Sequence, residues 1–425
     1  MTLVRMFRLV LNLVGTRFAG AALGLLSQLI LARLFNKDDV GIIFIAMSAV
    51  AFASLAITGG YPALALTCLP RYLALGRASL EKAFFAAFRH DALILGLAGA
   101  ALTVIAALLL PLDPGTRLAL FFACITAPSS AFIRINSSIA NSRRRYALSY
   151  VPDFIYRPGL LLLFVSASWA IGVNLTVWHV LWAFFAVNVL VAAGQAYLLR
   201  GAGILSGLAT KPRHKLAPYL RGRAFSLVIV AAIATAFSDL VTLVGGFFLP
   251  HEDVAVLGVA VRLAAIAAFV TQAAQQFILP DLTAALTRSG SAEARTMLFR
   301  VNIIAIGTIA AFILGTALFG GLVLRIFGEG YETGKWALVL FLVGQAIRAA
   351  GGMNQHLLSL AGQQLQTAGA CLLAIIVLLA YRRCSRRVSG SRELPWPSSP
   401  ANSSGRSCWA LRRTAWRASA AMFWR

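Results

Sequence analysis

Residues Ala224–Leu249 read AFSLVIVAAIATAFSDLVTLVGGFFL, 26 residues that are apolar almost throughout. At 1.5 Å per residue, a helix of this length crosses the roughly 30 Å hydrocarbon core of a bilayer. The stretch follows a basic segment, KPRHKLAPYLRGR (Lys211–Arg223), and carries one carboxylate, Asp239, past its middle. It stands at the midpoint of the chain, and runs of similar length and character recur on both sides of it.

Composition extends that reading to the whole chain. Its 425 residues are 60% hydrophobic and 12% charged, about half the charge of an ordinary soluble domain. The expectation is an all-α, polytopic membrane protein. The apolar runs are rich in Ala, Gly and Leu and too long for the roughly 10-residue alternating strands of a membrane barrel. The net charge of +24 lies, outside the tail, mostly in short segments between spans. That is a topology signal, so no nucleic-acid partner is expected. Cys68, Cys124, Cys371, Cys384 and Cys408 have neither CxxC nor metal-ligand spacing. The first apolar run is followed by NKDD instead of a small-residue cleavage site, so it reads as a retained helix. No Walker motif, HExxH or partnered histidine is present, and the chain is read as a non-enzyme without cofactor or metal.

Eleven spans are predicted, at about Leu9–Leu34, Val40–Ala65, Asp91–Leu110, Leu118–Ser138, Tyr150–Trp169, Leu175–Leu199, Ala224–Leu249, Val254–Pro280, Leu298–Ile326, Trp336–Leu360 and Thr367–Tyr381. Basic segments alternate with short turns such as PLDPG (Pro111–Gly115), PHED (Pro250–Asp253) and GEGYETG (Gly328–Gly334). With a cytoplasmic N-terminus, the cytoplasmic segments before the last span hold 18 Lys and Arg. The opposite turns hold Lys37, Arg117, Arg325 and Lys335, with Arg33 at a helix end. This bias places the N-terminus inside. The predicted organisation is a first bundle over 1–200, a basic cytoplasmic linker over 201–223, a second bundle over 224–381 and a tail over 382–425.

The tail breaks the pattern, with ten arginines against one acid, Glu393, and four of the eight tryptophans. Three readings stand: a disordered or surface-bound basic tail, a reading frame lost near Arg382–Val388, or a cytoplasmic tail after an eleventh helix that does not span.

Leu31–Ala46 (LARLFNKDDVGIIFIA) and Val244–Ala260 (VGGFFLPHEDVAVLGVA) each join a helix end, an acidic turn and a new helix. Asp38-Asp39-Val40 precedes Glu252-Asp253-Val254 by 214 residues, almost half the chain. Repeated halves in a transporter place the substrate path at their interface. Two pseudo-symmetric six-helix bundles are expected, the second incomplete.

Seven charged residues stand out among those in the predicted spans: Arg17, Arg134, Asp153, Arg157, Asp239, Arg262 and Arg348. Each costs at least about 2.5–3.5 kcal/mol at bilayer depth, so they should face water or one another. Asp153 and Arg157 share a helix face at i,i+4. Asp239 and Arg262 lie at similar depth, roughly 14 Å from one side by helix rise, and could pair. One reading is a cationic cavity whose guanidinium forks take an anionic headgroup, with Asp239 and Asp153 for ion pairing or coupling. The other is that the arginines snorkel or lock helices through the acids.

GTRFAGAALGLLSQLILARLFNKDDVGIIFIA (Gly15–Ala46) resembles the opening of bacterial polysaccharide transporters, the Wzx-like flippases of lipid-linked oligosaccharides. These are similar to the multidrug and lipid II exporters of the same superfamily. The likeness rests on Leu31, Arg33, Leu34, Asp38, Asp39 and Gly41. Phe237–Ala264, Ile278–Leu286 and Gly344–Gln364 resemble later segments of the same family. The resemblance implies two bundles in a V around a central cavity, with alternating access. The implied cargo is a polyprenyl-diphosphate-linked glycan, carried across the bacterial cytoplasmic membrane for surface polysaccharide synthesis. A polysaccharide polymerase and a chain-length regulator are the implied protein partners. Arg348, Arg262, Arg157, Arg17 and Arg134 would line the cavity. Competing readings are a cation-coupled drug exporter of the same fold and an inactive or scaffolding truncated protein.

Overall fold

In a computed structural model of the chain, residues 3–109, 111–204, 218–224, 227, 237–267 and 291–350 are described, and their regular structure is helical. The order is α1 (Leu3–Leu34), α2 (Lys37–Thr58), α3 (Tyr61–Ala74), α4 (Ala78–Leu109), α5 (Pro114–Ser142), α6 (Tyr146–Ala170) and α7 (Val177–Gly201). Then follow α8 (Phe237–Gly246), α9 (251–267), α10 (Ser291–Arg325) and α11 (Lys335–Ala350). The predicted eleventh span, the 382–425 tail and much of the 201–223 linker lie outside the described residues. So does most of the first half of Ala224–Leu249.

Seven of these helices (α1, α2, α4, α5, α6, α7 and α10) are long and apolar enough to cross a membrane. Their outer faces have the chemistry of a lipid boundary. Leu97, Leu108 and Leu109 on α4 are 72%, 78% and 79% exposed. On helices of span length, such exposed apolar side chains mark a membrane-facing surface. The chain is a multi-pass membrane protein.

Two sequence expectations need correction. The predicted span Val40–Ala65 is two helices, broken where Gly59 and Gly60 take left-handed φ values of 54° and 80°. Side chains there cost about 1–2 kcal/mol each, and a Cβ on Gly59 would sit 2.9 Å from Leu95 Cδ1. The Gly59→Ala, Gly60→Ala double variant should therefore lose about 2–4 kcal/mol, read by thermal unfolding in detergent. The basic stretch Arg71–Arg89 is also mostly helix: α3 runs on to Ala74 and α4 starts at Ala78. There Glu81 pairs with Arg143 at the end of α5.

The prolines act unequally. α5 runs through Pro128 as one helix. In α6 a π turn, Pro152–Tyr156, separates two α-helical parts, the second with Pro158 in its first turn. A proline lacks the N–H that would close the regular ladder, and a π turn accommodates the mismatch. α1 crosses α6 at this turn. A Cβ on Gly20 would stand 2.5 Å from the Phe154 carbonyl oxygen, so glycine permits the close crossing.

α2 and α5 form the centre of the first bundle, joined by α7 through Ala49, Val50, Leu120, Ala123, Ala183 and Phe184. Residues 218–224, which lead toward the second bundle, pack on α3 and α4. Leu220 and Ala224 join Tyr61, Phe84 and Phe88 in one cluster. Arg221 Nε donates to both Asp91 oxygens at 2.8 and 2.9 Å, and the Tyr61 hydroxyl donates to Asp91 at 2.7 Å. In the second bundle, α9 packs on α11 through Ala260, Ala264, Leu338 and Leu342.

The repeat-related segments face each other. Ile45 would meet a Cβ on Gly246 at 2.7 Å. Shifted by the 214-residue offset, that pair becomes Val259 and Ala32, which share a second cluster with Phe44, Ala255 and Leu324. Both positions of the repeat thus fall at the contact between the bundles.

Candidate functional site

The contact between bundles buries a cluster of charge. Arg134 comes from α5, Asp153 from within the π turn of α6, and Arg157 from the residue directly after it. Asp239 stands in the first turn of α8, and Arg262 midway along the described part of α9. The Asp239 carboxylate lies in the fields of Arg262, Arg134 and Arg157, and Arg134 also in those of Asp153 and Arg157. Three guanidiniums thus face two carboxylates, leaving one positive charge in excess.

Each arginine is held by a different device. Arg157 Nη1 donates to Asp153 Oδ1 at 3.1 Å, and its guanidinium carbon lies 5.4 Å over the Phe184 ring. Arg134 Nε donates to Ser54 Oγ at 3.0 Å. The guanidinium carbon of Arg262 lies 4.0 Å over the Phe44 ring of α2, and its Nη1 donates to the Gly258 carbonyl at 3.2 Å. Gly258 makes that stacking possible, because a Cβ there would meet Phe44 Cδ2 at 2.5 Å and Arg262 Nη1 at 2.8 Å. A guanidinium over a desolvated ring gains about 2 kcal/mol. Stacking uses the plane's face and leaves its N–H edge for a planar or tetrahedral oxyanion.

Around the charges lie hydroxyls that sequence reasoning passed over. Ser48 lies beside Asp239 without completing a hydrogen bond. Thr126 and Ser130 share a face of α5 with Arg134 by helical spacing, and their buried oxygens have no partner. Phe44, Phe184 and Gly258 also went unnoticed. In the sequence they are ordinary apolar helix residues, and nothing marks which aromatic a distant arginine will cover.

The remaining two candidates lie elsewhere. Arg17 is on α1 against Tyr150, with its guanidinium carbon 4.9 Å from the ring centroid and Nη2 donating to the hydroxyl at 3.4 Å. Asn141 Nδ2 donates to the same hydroxyl at 3.0 Å. Arg348 stands in the last turn of α11, and its side chain lies outside the described residues. Among the described residues no group of His, Cys, Asp and Glu is arranged to hold a metal ion.

No protein-family model and no curated protein sequence matches the chain. Its fold has solved counterparts. It is similar to the inward-facing conformation of a multidrug resistance MATE family transporter of the MOP superfamily, with TM-score 0.59, 16% identity and 83% of each chain covered. It is also similar to MATE in the bent conformation, with TM-score 0.51, 14% identity, and 85% and 84% of the two chains covered. The fold is therefore the two-bundle helical fold of MATE transporters. It fits the superfamily that the sequence resembles.

Proposed function

We propose that the chain moves a polyprenyl-diphosphate-linked saccharide across the bacterial cytoplasmic membrane, with its N-terminus inside, to supply surface polysaccharide synthesis. The single observation behind this reading is the half-buried Arg134–Arg157–Arg262 cluster, which is one positive charge richer than its carboxylates. A diphosphate supplies the missing negative charge and several acceptors for guanidinium edges. Ser48, Thr126 and Ser130 offer hydroxyls to the attached sugar. Transport exposes the cluster to each side in turn, while the prenyl chain stays in lipid. A polysaccharide polymerase and a chain-length regulator would receive the product.

A second reading, a cation-coupled drug exporter, draws on the likeness to a multidrug MATE fold and on Asp239, a carboxylate set between bundles. The test is transport by the purified chain in proteoliposomes. A fluorescent polyprenyl-diphosphate saccharide and ethidium serve as alternative cargoes. Under the first reading the lipid-linked cargo crosses, and Arg134→Gln or Arg157→Gln slows it by about 10–100-fold, the loss of one charge-assisted contact. Ethidium movement sensitive to Asp239→Asn, without lipid movement, would establish the second instead.

A further inference from the structure

At the acidic-turn end of the molecule, the end predicted to face outward, the bundles close on a histidine. His251 opens α9, and its Nε2 lies 2.9 Å from Asp113 Oδ2 and 3.2 Å from Thr116 Oγ1. Both partners belong to the other bundle: Asp113 is the N-cap of α5, accepting from the Thr116 backbone N–H at 2.9 Å. Two glycines make the seat. The His251 backbone carbonyl packs directly on Gly41, and a Cβ on Gly115 would stand 2.8 Å from the imidazole Cε1. The imidazole is only 18% exposed, whereas Asp113 is 49% exposed.

Beside this seat, Arg33 Nε donates to the Ile326 carbonyl at 2.6 Å, and Lys37 lies over the Tyr331 ring. The end therefore closes at two places, and the central cluster takes no part in either.

We propose that His251 is a pH-sensitive latch between the bundles: as imidazolium it bonds Asp113 and holds this end shut, and on deprotonation the hold weakens. Histidine is the side chain whose ordinary charge change falls between pH 5 and 8. The partner is ionised throughout that range. Burial works against the Asp113 charge, but the Thr116 N–H and hydroxyl and the His251 charge outweigh it and hold the carboxyl below its usual range. The contribution of Asp113 is therefore present above the usual carboxylate range and lost only in strong acid. The hold by His251 is strongest while the imidazole carries its charge. Neutral His251 still donates one bond to the ionised carboxylate, but the attraction between imidazolium and carboxylate charges is gone.

Other charged groups stand near the seat in the chain. Arg117 follows on α5, Asp38 and Asp39 stand in the first turn of α2 beside Gly41, and Glu252 and Asp253 follow on α9.

The inference is independent of cargo. It is tested with the full chain in lipid nanodiscs, spin-labelled at Asn36→Cys and Glu329→Cys in a background with the native cysteines replaced by serine. Electron–electron distances between the labels are recorded at pH 5.5 and pH 8. The long-distance population should rise about fivefold over that interval, a loss equivalent to part of one charge-assisted bond. Asp113→Asn keeps an equally good helix cap but removes the charge. It should show the pH 8 distribution at both values, as should His251→Gln. A parent distribution that does not move with pH overturns the latch. So does an Asp113→Asn protein that keeps the full pH response, whether or not the His251 variant folds.

Discussion

Arg262→Ala should be the most damaging single substitution in the charge cluster. Removing it leaves Asp239 buried with a weaker positive field and removes the cation that covers Phe44. The cost is bounded by the roughly 3–5 kcal/mol of breaking a buried ion pair, because the carboxylate stays desolvated with one compensating cation fewer. Replacing both partners is far cheaper. The double variant Arg262→Ala, Asp239→Asn should therefore recover most of the thermal stability that Arg262→Ala loses, as measured by unfolding in detergent. It should not recover transport, because an oxyanion-binding edge is gone. If the single variant is as stable as the parent, Arg262 reaches water or lipid headgroups and the cluster is not a buried unit. If the double variant transports normally, the pair only locks helices, and the cationic site must be sought around Arg134 and Arg157.

Arg262 and Asp239 also show how far the sequence could be read. Their depth followed from counting residues back from one acidic turn, a count that needs only helix rise. The structure places them in each other's field. Asp153 and Arg157 were paired by i,i+4 spacing, and they meet although a π turn ends between them. Local periodicity carries such information because backbone geometry fixes it.

What periodicity does not carry is the crossing of distant helices. Arg17 shared the apolar setting and charge of the other arginines, yet α1 passes α6 where Tyr150 receives it. Phe44 and Phe184 became partners of arginines only through the packing of α2 on α9 and of α7 on α6. The break at Gly59–Gly60 was written in two adjacent glycines, but an apolar run of span length concealed it. Hydropathy averages over the positive φ values that end a helix.

Gly41→Ala should shift the molecule toward a state open at the acidic-turn end. A methyl group there collides with the His251 carbonyl oxygen and would stand 3.0 Å from the His251 Cα. These are backbone atoms at the start of α9, so no side-chain rotation relieves the clash, and α2 and α9 must move apart. Overpacking of this kind costs about 1–3 kcal/mol, which multiplies an opening equilibrium by about 5–150. The measurement is the rate at which a membrane-impermeant maleimide labels Val254→Cys, a position fully buried between the bundles. Labelling should accelerate at least about tenfold in Gly41→Ala, while Gly99→Ala, with nothing near its added Cβ, leaves it unchanged. Transport should fall as well, because a carrier that cannot close one end cannot present its site alone to the other. His251 and Asp113 are both still present in this variant, so opening that no longer depends on pH would mean that the steric seat at Gly41, more than the ion pair, sets the closed state. Unchanged labelling would mean that this end is already apart in the membrane, and the seat around His251 would then not be the resting contact between the bundles.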